Sequence, residues 1–264
     1  MIRCGNIIND LFGWAALEKL PKYVLQAGSS RCLCEWPEWS YPAIISVMKV
    51  MIVSDTICPW CYVGKRRFER ALAERTEVKP DIEWRPFQLN PNMPTEGLDR
   101  TAYMRAKFGT DERAEEIYKA IRDAGNGENI AFAFDLISRV PNTIGSHRLI
   151  SWSLPSGQQD SVVEILFRSY FLAGQDIGDI DVLVEVAATA GLDETEARAY
   201  LSGEDGVDQA QAESSEAHRL GISGVPCFIF DGKYAVSGAQ EPEVFSQVFD
   251  LALQPDDTDQ AKAL

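Results

Sequence analysis

Histidine is nearly missing from this chain: only His147 and His218 occur, far apart and away from any cysteine pair. That argues against a Cys/His zinc site, and no metal is expected. Basic residues are also scarce. Twenty-five Lys and Arg stand against 40 Asp and Glu, giving a formal net charge of −15 and a pI near 4.6. Such a surface repels phosphate backbones, so nucleic acid is not an expected partner. The acidity reads first as solubility. No stretch approaches the roughly 18 apolar residues of a membrane span, so no membrane partner is expected. No secretory signal is legible: Arg3 is early enough, but Asn9 and Asp10 break the apolar run and Glu18, Lys19 and Lys22 follow. The expected compartment is therefore the cytoplasm. Six cysteines in 264 residues are too few for a disulfide scaffold. In the cytoplasm a Cys-x-x-Cys pair is more often catalytic or metal-binding than structural. Internal repeats and low-complexity segments are absent too.

What is there is an ordinary globular composition, 45% hydrophobic and 25% charged, long enough for one large domain or two small ones. Residues 1–47 stand apart. They hold three of the six tryptophans and three of the six cysteines, Cys4, Cys32 and Cys34. Four basic residues (Arg3, Lys19, Lys22, Arg31) cancel four acidic ones (Asp10, Glu18, Glu35, Glu38), so the whole net charge lies downstream. They show no sustained period and read as an appendage of doubtful structure, with a translation start assigned too early. The rival reading is an ordered hairpin or helix on the core.

From Met48 the signals become regular. Residues 50–54 form a short apolar β-rich run, bounded by Asp55 and Thr56. Residues 59–75 have helical spacing. Residues 82–89 alternate and read as a second strand, with Pro86 near its end or on an edge. "NPNMPTEG" is a loop. From about 98 to 221 the pattern is almost wholly helical, with helices expected over 103–108, 114–124, 143–154, 161–171, 181–190, 194–201 and 205–220. Residues 227–230 and 234–237 then read as strands joined by Asp231-Gly232, a type I′ hairpin signal. A last helix runs over 241–253, with Pro242 in its first turn. The expected organisation is thus 1–47 extension, 48–97 first half, 98–221 helical insertion, 222–254 second half and 255–264 tail. The class is α/β: a thioredoxin fold with a large α-helical insertion between the second and third core strands.

"CPWC" (Cys58-Pro59-Trp60-Cys61) sits between a predicted strand and a predicted helix. Cys58 would cap the helix, and Pro59 would take the first helical position, where a missing N–H costs nothing. Unpaired backbone N–H groups and the positive end of the helix dipole then face the Cys58 sulfur and favour thiolate over thiol. Cysteines so placed titrate at roughly 3.5–7.5 instead of about 8.5. Cys58 is thus the expected nucleophile. Cys61, one turn deeper and less exposed, would resolve the mixed disulfide. A zinc half-site or two unrelated core cysteines are the bland alternatives.

The segments "SDTICPWCYVGKRRFERAL", "WRPFQLNPNMP", "PNTIGSHRLISW" and "AHRLGISGVPCFIFDGKYAVSGAQ", in that order, resemble the FrnE-type members of the DsbA-like thioredoxin family. The resemblance runs from about Met48 to Leu253. It implies thiol–disulfide oxidoreductase chemistry with Cys58 and Cys61 as the catalytic pair. It also implies a cis proline at Pro226 in "SGVPCFIF", beside the redox pair. Pro59, Trp60, Val225 and Pro226 would line the substrate site, with the Val225 backbone offered to an extended substrate strand. No cofactor is implied. Partners would be thiols or disulfides, protein or glutathione-like, and a homodimer is compatible. The wider group includes glutathione-dependent kappa-class transferases and 2-hydroxychromene-2-carboxylate isomerases, in which a serine stands at the position of Cys58. Both cysteines here favour redox chemistry; the isomerase or transferase reading is the alternative, and a non-catalytic binding or chaperone module a third.

Weaker signals remain. Cys227, directly after Pro226, is either a third thiol near the pair or buried core. Cys32-x-Cys34 reads as incidental. His147 and His218 each precede an arginine on a predicted helix, lining the groove or packed elsewhere. Lys65-Arg66-Arg67 would either attract an acidic thiol or form a solvated helix face.

Overall fold

The structure is a computed structural model and describes residues 47–254. The expected extension, with Cys4, Cys32 and Cys34, lies outside the described residues apart from Val47, and so does the expected tail. Strand β1 (Val47–Ser54) is central. It pairs in parallel with β2 (Lys79–Pro86) and antiparallel with β5 (Cys227–Phe230), which pairs antiparallel with β6 (Tyr234–Ser237). The sheet order is β2-β1-β5-β6. A parallel pair needs a crossover, and helix α1 (Pro59–Ala73) supplies it.

The alternation in β1 has a visible purpose. Met48, Val50 and Ile52 are all buried in the core. Phe68 of α1 lies among Phe228 and Phe230 of β5 and Phe245 and Phe249 of α9 (Pro242–Ala252), with ring centroids 5.4–6.2 Å apart. Rings at this spacing add to the burial itself. The β5–β6 turn holds Asp231 at φ 49° and Gly232 at φ 66°, and Lys233 N–H donates to the Phe230 carbonyl at 2.9 Å. Positive φ at both central residues is what the Asp-Gly signal requires.

Between β2 and β5 the chain runs through β3 (Leu98–Asp99), α2 (Arg100–Phe108), α3 (Asp111–Gly127), β4 (Arg139–Val140), α4 (Ile144–Trp152), α5 (Gln159–Phe171), α6 (Ile180–Thr189), α7 (Glu194–Ser202) and α8 (Val207–Arg219). The stretch is not wholly helical, because β3 and β4 form a two-stranded antiparallel sheet. Helices α4, α5 and α8 pack against the edge strand β2, and Tyr62 of α1 stacks on Phe167 of α5 at 5.1 Å. Arg148 of α4 is buried and donates to the carbonyls of Tyr200, Leu201, Gly203 and Asp205, closing the end of α7.

The second strand lies three residues earlier than its alternation suggests. Pro86 ends it, at the sheet edge. Phe87 N–H still donates to the Ser54 carbonyl, but Gln88 N–H turns to the Ser214 hydroxyl and Leu89 N–H to the Asp55 carboxylate. Side chains from distant elements replace the ladder there.

Candidate active site

The site forms where β1 ends and α1 begins. Ser54 closes the strand, and Asp55-Thr56-Ile57 make a tight turn in which Cys58 N–H donates to the Asp55 carbonyl at 3.0 Å. Cys58 is the N-cap of α1, with extended backbone at φ −91° and ψ 111°, and Pro59 occupies the first helical position. The apolar strand and the proline-initiated helix thus aim the Cys58 sulfur along the helix start. Its thiol lies 3.6 Å from the Val225 carbonyl, which it faces as donor. The Val225–Pro226 peptide is cis. Helix α1 comes close to Pro226 because residue 64 is glycine: a Cβ there would lie 2.8 Å from Pro226 Cγ. Cys58, Cys61, Pro59, Val225 and Pro226 thus gather around one helix start, and Trp60 is the most exposed member at 36%.

The two sulfurs differ in surroundings. Both are buried and unbridged, Cys61 at 1% exposure and Cys58 at 5%. Burial pushes the Cys61 thiol well above 9.0, and the neighbouring Cys58 adds to the rise. The Ser54 hydroxyl and the Asp55 backbone oppose it. Cys61 therefore stays a thiol at neutral pH.

Around the turn before the pair lies a buried polar group of which the sequence analysis singled out only His147, as lining the groove or packed elsewhere. The Asp55 carboxylate is fully buried and accepts from Leu89 N–H at 2.7 Å and Ile57 N–H at 3.5 Å. His147 of α4 places Nε2 3.5 Å from Asp55 Oδ1 and 3.2 Å from the Phe87 carbonyl. Thr56 and Ser146 share a buried hydrogen bond at 2.8 Å. The available signal was the polar triplet Ser54-Asp55-Thr56, set between a buried strand and the redox motif. His218 instead packs on Phe87, with centroids 4.1 Å apart.

The weaker signals resolve as follows. Cys227 is buried in a small apolar cluster with Val53, Phe87 and Ala217. Lys65 is 3% exposed and paired with Glu69, Asp160 and Glu164. Arg66 pairs with Glu69 and Glu164, and Arg67 with Glu128 and Glu241. This cluster is neither a solvated face nor an open anion site; it ties α1 to α5 and to the segments around Glu128 and Glu241. Among the described residues, no group of three or more His, Cys, Asp or Glu is placed to hold a metal, and no helix is long and apolar enough to cross a membrane.

A sequence model of the DSBA-like thioredoxin domain matches residues 49–250. The chain belongs to that family. Its members are thiol–disulfide oxidoreductases and related isomerases. The chain is 35% identical to the "probable DsbA oxidoreductase SCO1869" of Streptomyces coelicolor, with a TM-score of 0.70 over 78% of this chain and 89% of that one. It is 27% identical to YwbO of Bacillus subtilis (strain 168), over 75% of this chain and 94% of the relative. The cytosolic disulfide reductase DsbM of Pseudomonas aeruginosa, solved with GSH, shares the fold at 18% identity and a TM-score of 0.56, over 78% of this chain and 98% of that one. The DsbA-like fold places the CPWC helix start and Pro226 on one sheet end, with the inserted helices packed alongside.

Proposed function

We propose that this protein is an FrnE-type thiol–disulfide oxidoreductase, in which Cys58 attacks and Cys61 resolves. One observation carries the reading: Cys58 caps α1 beside the Val225 carbonyl, while its partner Cys61 is buried and held as a thiol. Cys58 stands at the helix start with its sulfur toward the Val225 carbonyl, and in exchange the thiolate is the nucleophile. In the reductive direction Cys58 thiolate attacks a substrate disulfide, forming one mixed disulfide and releasing one thiolate. Cys61 then attacks Cys58, closing the Cys58–Cys61 disulfide and releasing the second substrate thiolate. Pro59, Trp60, Val225 and Pro226 frame the substrate, whose extended backbone would meet that of Val225. Residues 48–97 and 222–254 serve as the two halves of the redox fold, with 98–221 as its insertion. The substrates are protein or glutathione-like thiols and disulfides, and the setting is the cytoplasm. A cysteine at position 58 favours exchange over isomerase chemistry.

The test is trapping. A Cys61→Ser variant should accumulate mixed disulfides with a disulfide substrate, resolved by mass spectrometry, and Cys58→Ser should accumulate none. Adducts that form equally through Cys61, or no adducts at all, would overturn the assignment.

A further inference from the structure

Val225 and Pro226 stand just outside the sheet. The β1–β5 ladder ends on the pair Val53–Cys227, one residue short of Pro226. Pro226 has no N–H to give, and the Cys58 thiol meets the Val225 carbonyl only at 3.6 Å. The close contact is at the Pro226 carbonyl, which accepts from Gly238 N–H at 2.8 Å in the turn between β6 and α9. That turn is braced within itself. Gly238 sits at φ 81°, Gln240 N–H donates to the Gly238 carbonyl at 2.9 Å, and Gln240 Nε2 donates to the Ser237 carbonyl at 2.8 Å. The Ala239 carbonyl accepts from Arg67 Nη1 of α1 at 2.7 Å. Helix α1 thus holds the turn, and the turn holds the proline.

Arg67 is fixed from three directions. Nη1 takes the Ala239 carbonyl, Nε the Glu128 carboxylate at 3.1 Å and Nη2 the Glu241 carboxylate at 2.7 Å. Glu128 stands at the end of α3, in the insertion, and Glu241 at the start of α9. The Arg67 side chain is 14% exposed and that of Glu128 5%, so salt screens this pair little. A planar guanidinium can serve three partners in fixed directions; a lysine ammonium, a point charge on a flexible stem, cannot reproduce the fork. Arg70, three residues on, meets the same two carboxylates, at 3.0 and 3.9 Å. What sets Arg67 apart from it is the bond to the Ala239 carbonyl.

We propose that Arg67 is a positioning residue for disulfide exchange: through the turn at 237–240 it sets the Val225–Pro226 backbone in place beside Cys58, and through Glu128 it ties that place to the inserted helices. The proposal rests on the exchange reading above, in which the substrate backbone meets that of Val225. Arg67 touches no reacting atom. It acts through two hydrogen bonds, Arg67 to Ala239 and Gly238 to Pro226, and then through the peptide bond that joins Pro226 to Val225. Without the guanidinium the turn keeps its internal bonds but loses its polar tie to α1. Val225 then drifts from the register that an extended substrate needs. A peptide that pairs with the Val225 backbone feels that loss in full; a small disulfide with no backbone to pair feels it less.

The test compares two mixed disulfides of one aromatic thiol that is coloured on release, the first with an extended peptide carrying a single cysteine and the second with ethanethiol. Attack by Cys58 of the reduced protein on the aliphatic sulfur of either releases the coloured thiolate. In Arg67→Met the ratio of the peptide rate constant to that of the small disulfide should fall by roughly 10-fold, what one or two backbone hydrogen bonds are worth. The fall should come chiefly from a higher half-saturating peptide concentration. Arg67→Lys, which keeps the charge opposite both glutamates, should show a smaller fall of the same kind, and Arg70→Met should keep the wild-type ratio. An unchanged ratio in Arg67→Met overturns the proposal. So does an equal fall in Arg70→Met, which would assign the effect to the ion pairs, or equal slowing on both substrates with a lower melting temperature, which would mark a structural role. Should Arg67→Met fail to fold, Arg67→Lys decides by the same ratio. If the wild type releases thiolate from neither substrate, the exchange reading falls and the proposal with it; normal release with an unmoved ratio overturns the positioning role alone.

Discussion

The close approach of α1 to Pro226 makes Gly64→Ala a sharp perturbation of the site. The new Cβ would sit 2.8 Å from Pro226 Cγ, with Phe228 Cζ at 3.4 Å and the Ala239 backbone at 3.5 Å. Carbon atoms pack comfortably at about 3.5–4.0 Å, so helix and proline must part by the better part of an ångström. Pro226 cannot yield easily, because its carbonyl accepts from Gly238 N–H at 2.8 Å. The helix cannot slide aside either, with Phe228 and Ala239 already in contact range. Overpacking of this kind costs about 1–3 kcal/mol. Replacing a mid-helix glycine by alanine returns up to about 1 kcal/mol. The net is a loss near 1 kcal/mol, or a melting temperature lower by about 2–4 °C. Activity should suffer more than stability. The Cys58 sulfur and the Val225 carbonyl stand on opposite sides of the contact that is forced apart, and a misplacement of this order costs up to roughly 10²-fold in rate. The assay is thermal unfolding together with the rate at which the reduced protein releases the first coloured thiolate from a symmetrical aromatic disulfide. Gly127→Ala serves as control: it ends α3 and its Cβ would meet nothing within 4 Å. If Gly64→Ala is as stable and as fast as the control, α1 has room at Pro226 and the packing argument is refuted.

Two further predictions follow from the same geometry. Cys61 is raised by burial above its unfolded value, so folding favours its protonated form; that stability is complete below about pH 8.5 and is lost as pH rises toward the folded value. Reduced protein should therefore weaken as pH rises above about 8.5 more steeply than its Cys61→Ala variant in urea melts, and a parallel pair of curves would refute it; alkylation of Cys61 should stay slow well above that pH. Arg148→Met removes the donors that hold four carbonyls at the end of α7. It should cost about 3 kcal/mol and lower the melting temperature by about 6–12 °C, and an unchanged midpoint in calorimetry would show that other donors close the helix.

How much of this was legible in the sequence depends on the range over which each feature is encoded. The redox helix start is local: an apolar β-rich run, a proline at the first helical position and a helical period stand within some twenty residues, and the structure follows them closely. The Asp231-Gly232 turn is equally local, since positive φ is a property of those residue types. The β3–β4 pair was not legible, because a two-residue strand carries no period. Residues 87–89 mimic a strand by alternation, but after Phe87, which still bonds the Ser54 carbonyl, the N–H groups of Gln88 and Leu89 are claimed by the Ser214 and Asp55 side chains. Only the tertiary fold decides between a ladder and such borrowed partners. The pairing of Asp55 with His147 was out of reach for the same reason: the two lie on separate elements, and nothing in either neighbourhood names the other.

These long-range polar contacts also decide what the insertion can do. The end of β2 and the turn before α1 are stitched to it at several points. Gln159 meets the Trp84 backbone N–H at 3.0 Å, Ser214 takes Gln88 N–H at 2.9 Å, His218 lies 3.3 Å from the Gln88 carbonyl, Ser146 meets Thr56, and His147 meets Asp55. Most of these groups are buried. Lifting the helices away as a lid would leave several buried donors and acceptors unpaired at once, and each such group costs about 1–3 kcal/mol. Such networks rigidify what they join. The insertion is therefore a fixed wall beside the β1–α1 turn. The exposed surface at the redox helix start is that of Trp60, two residues from Cys58, and reaching it undoes none of these buried hydrogen bonds.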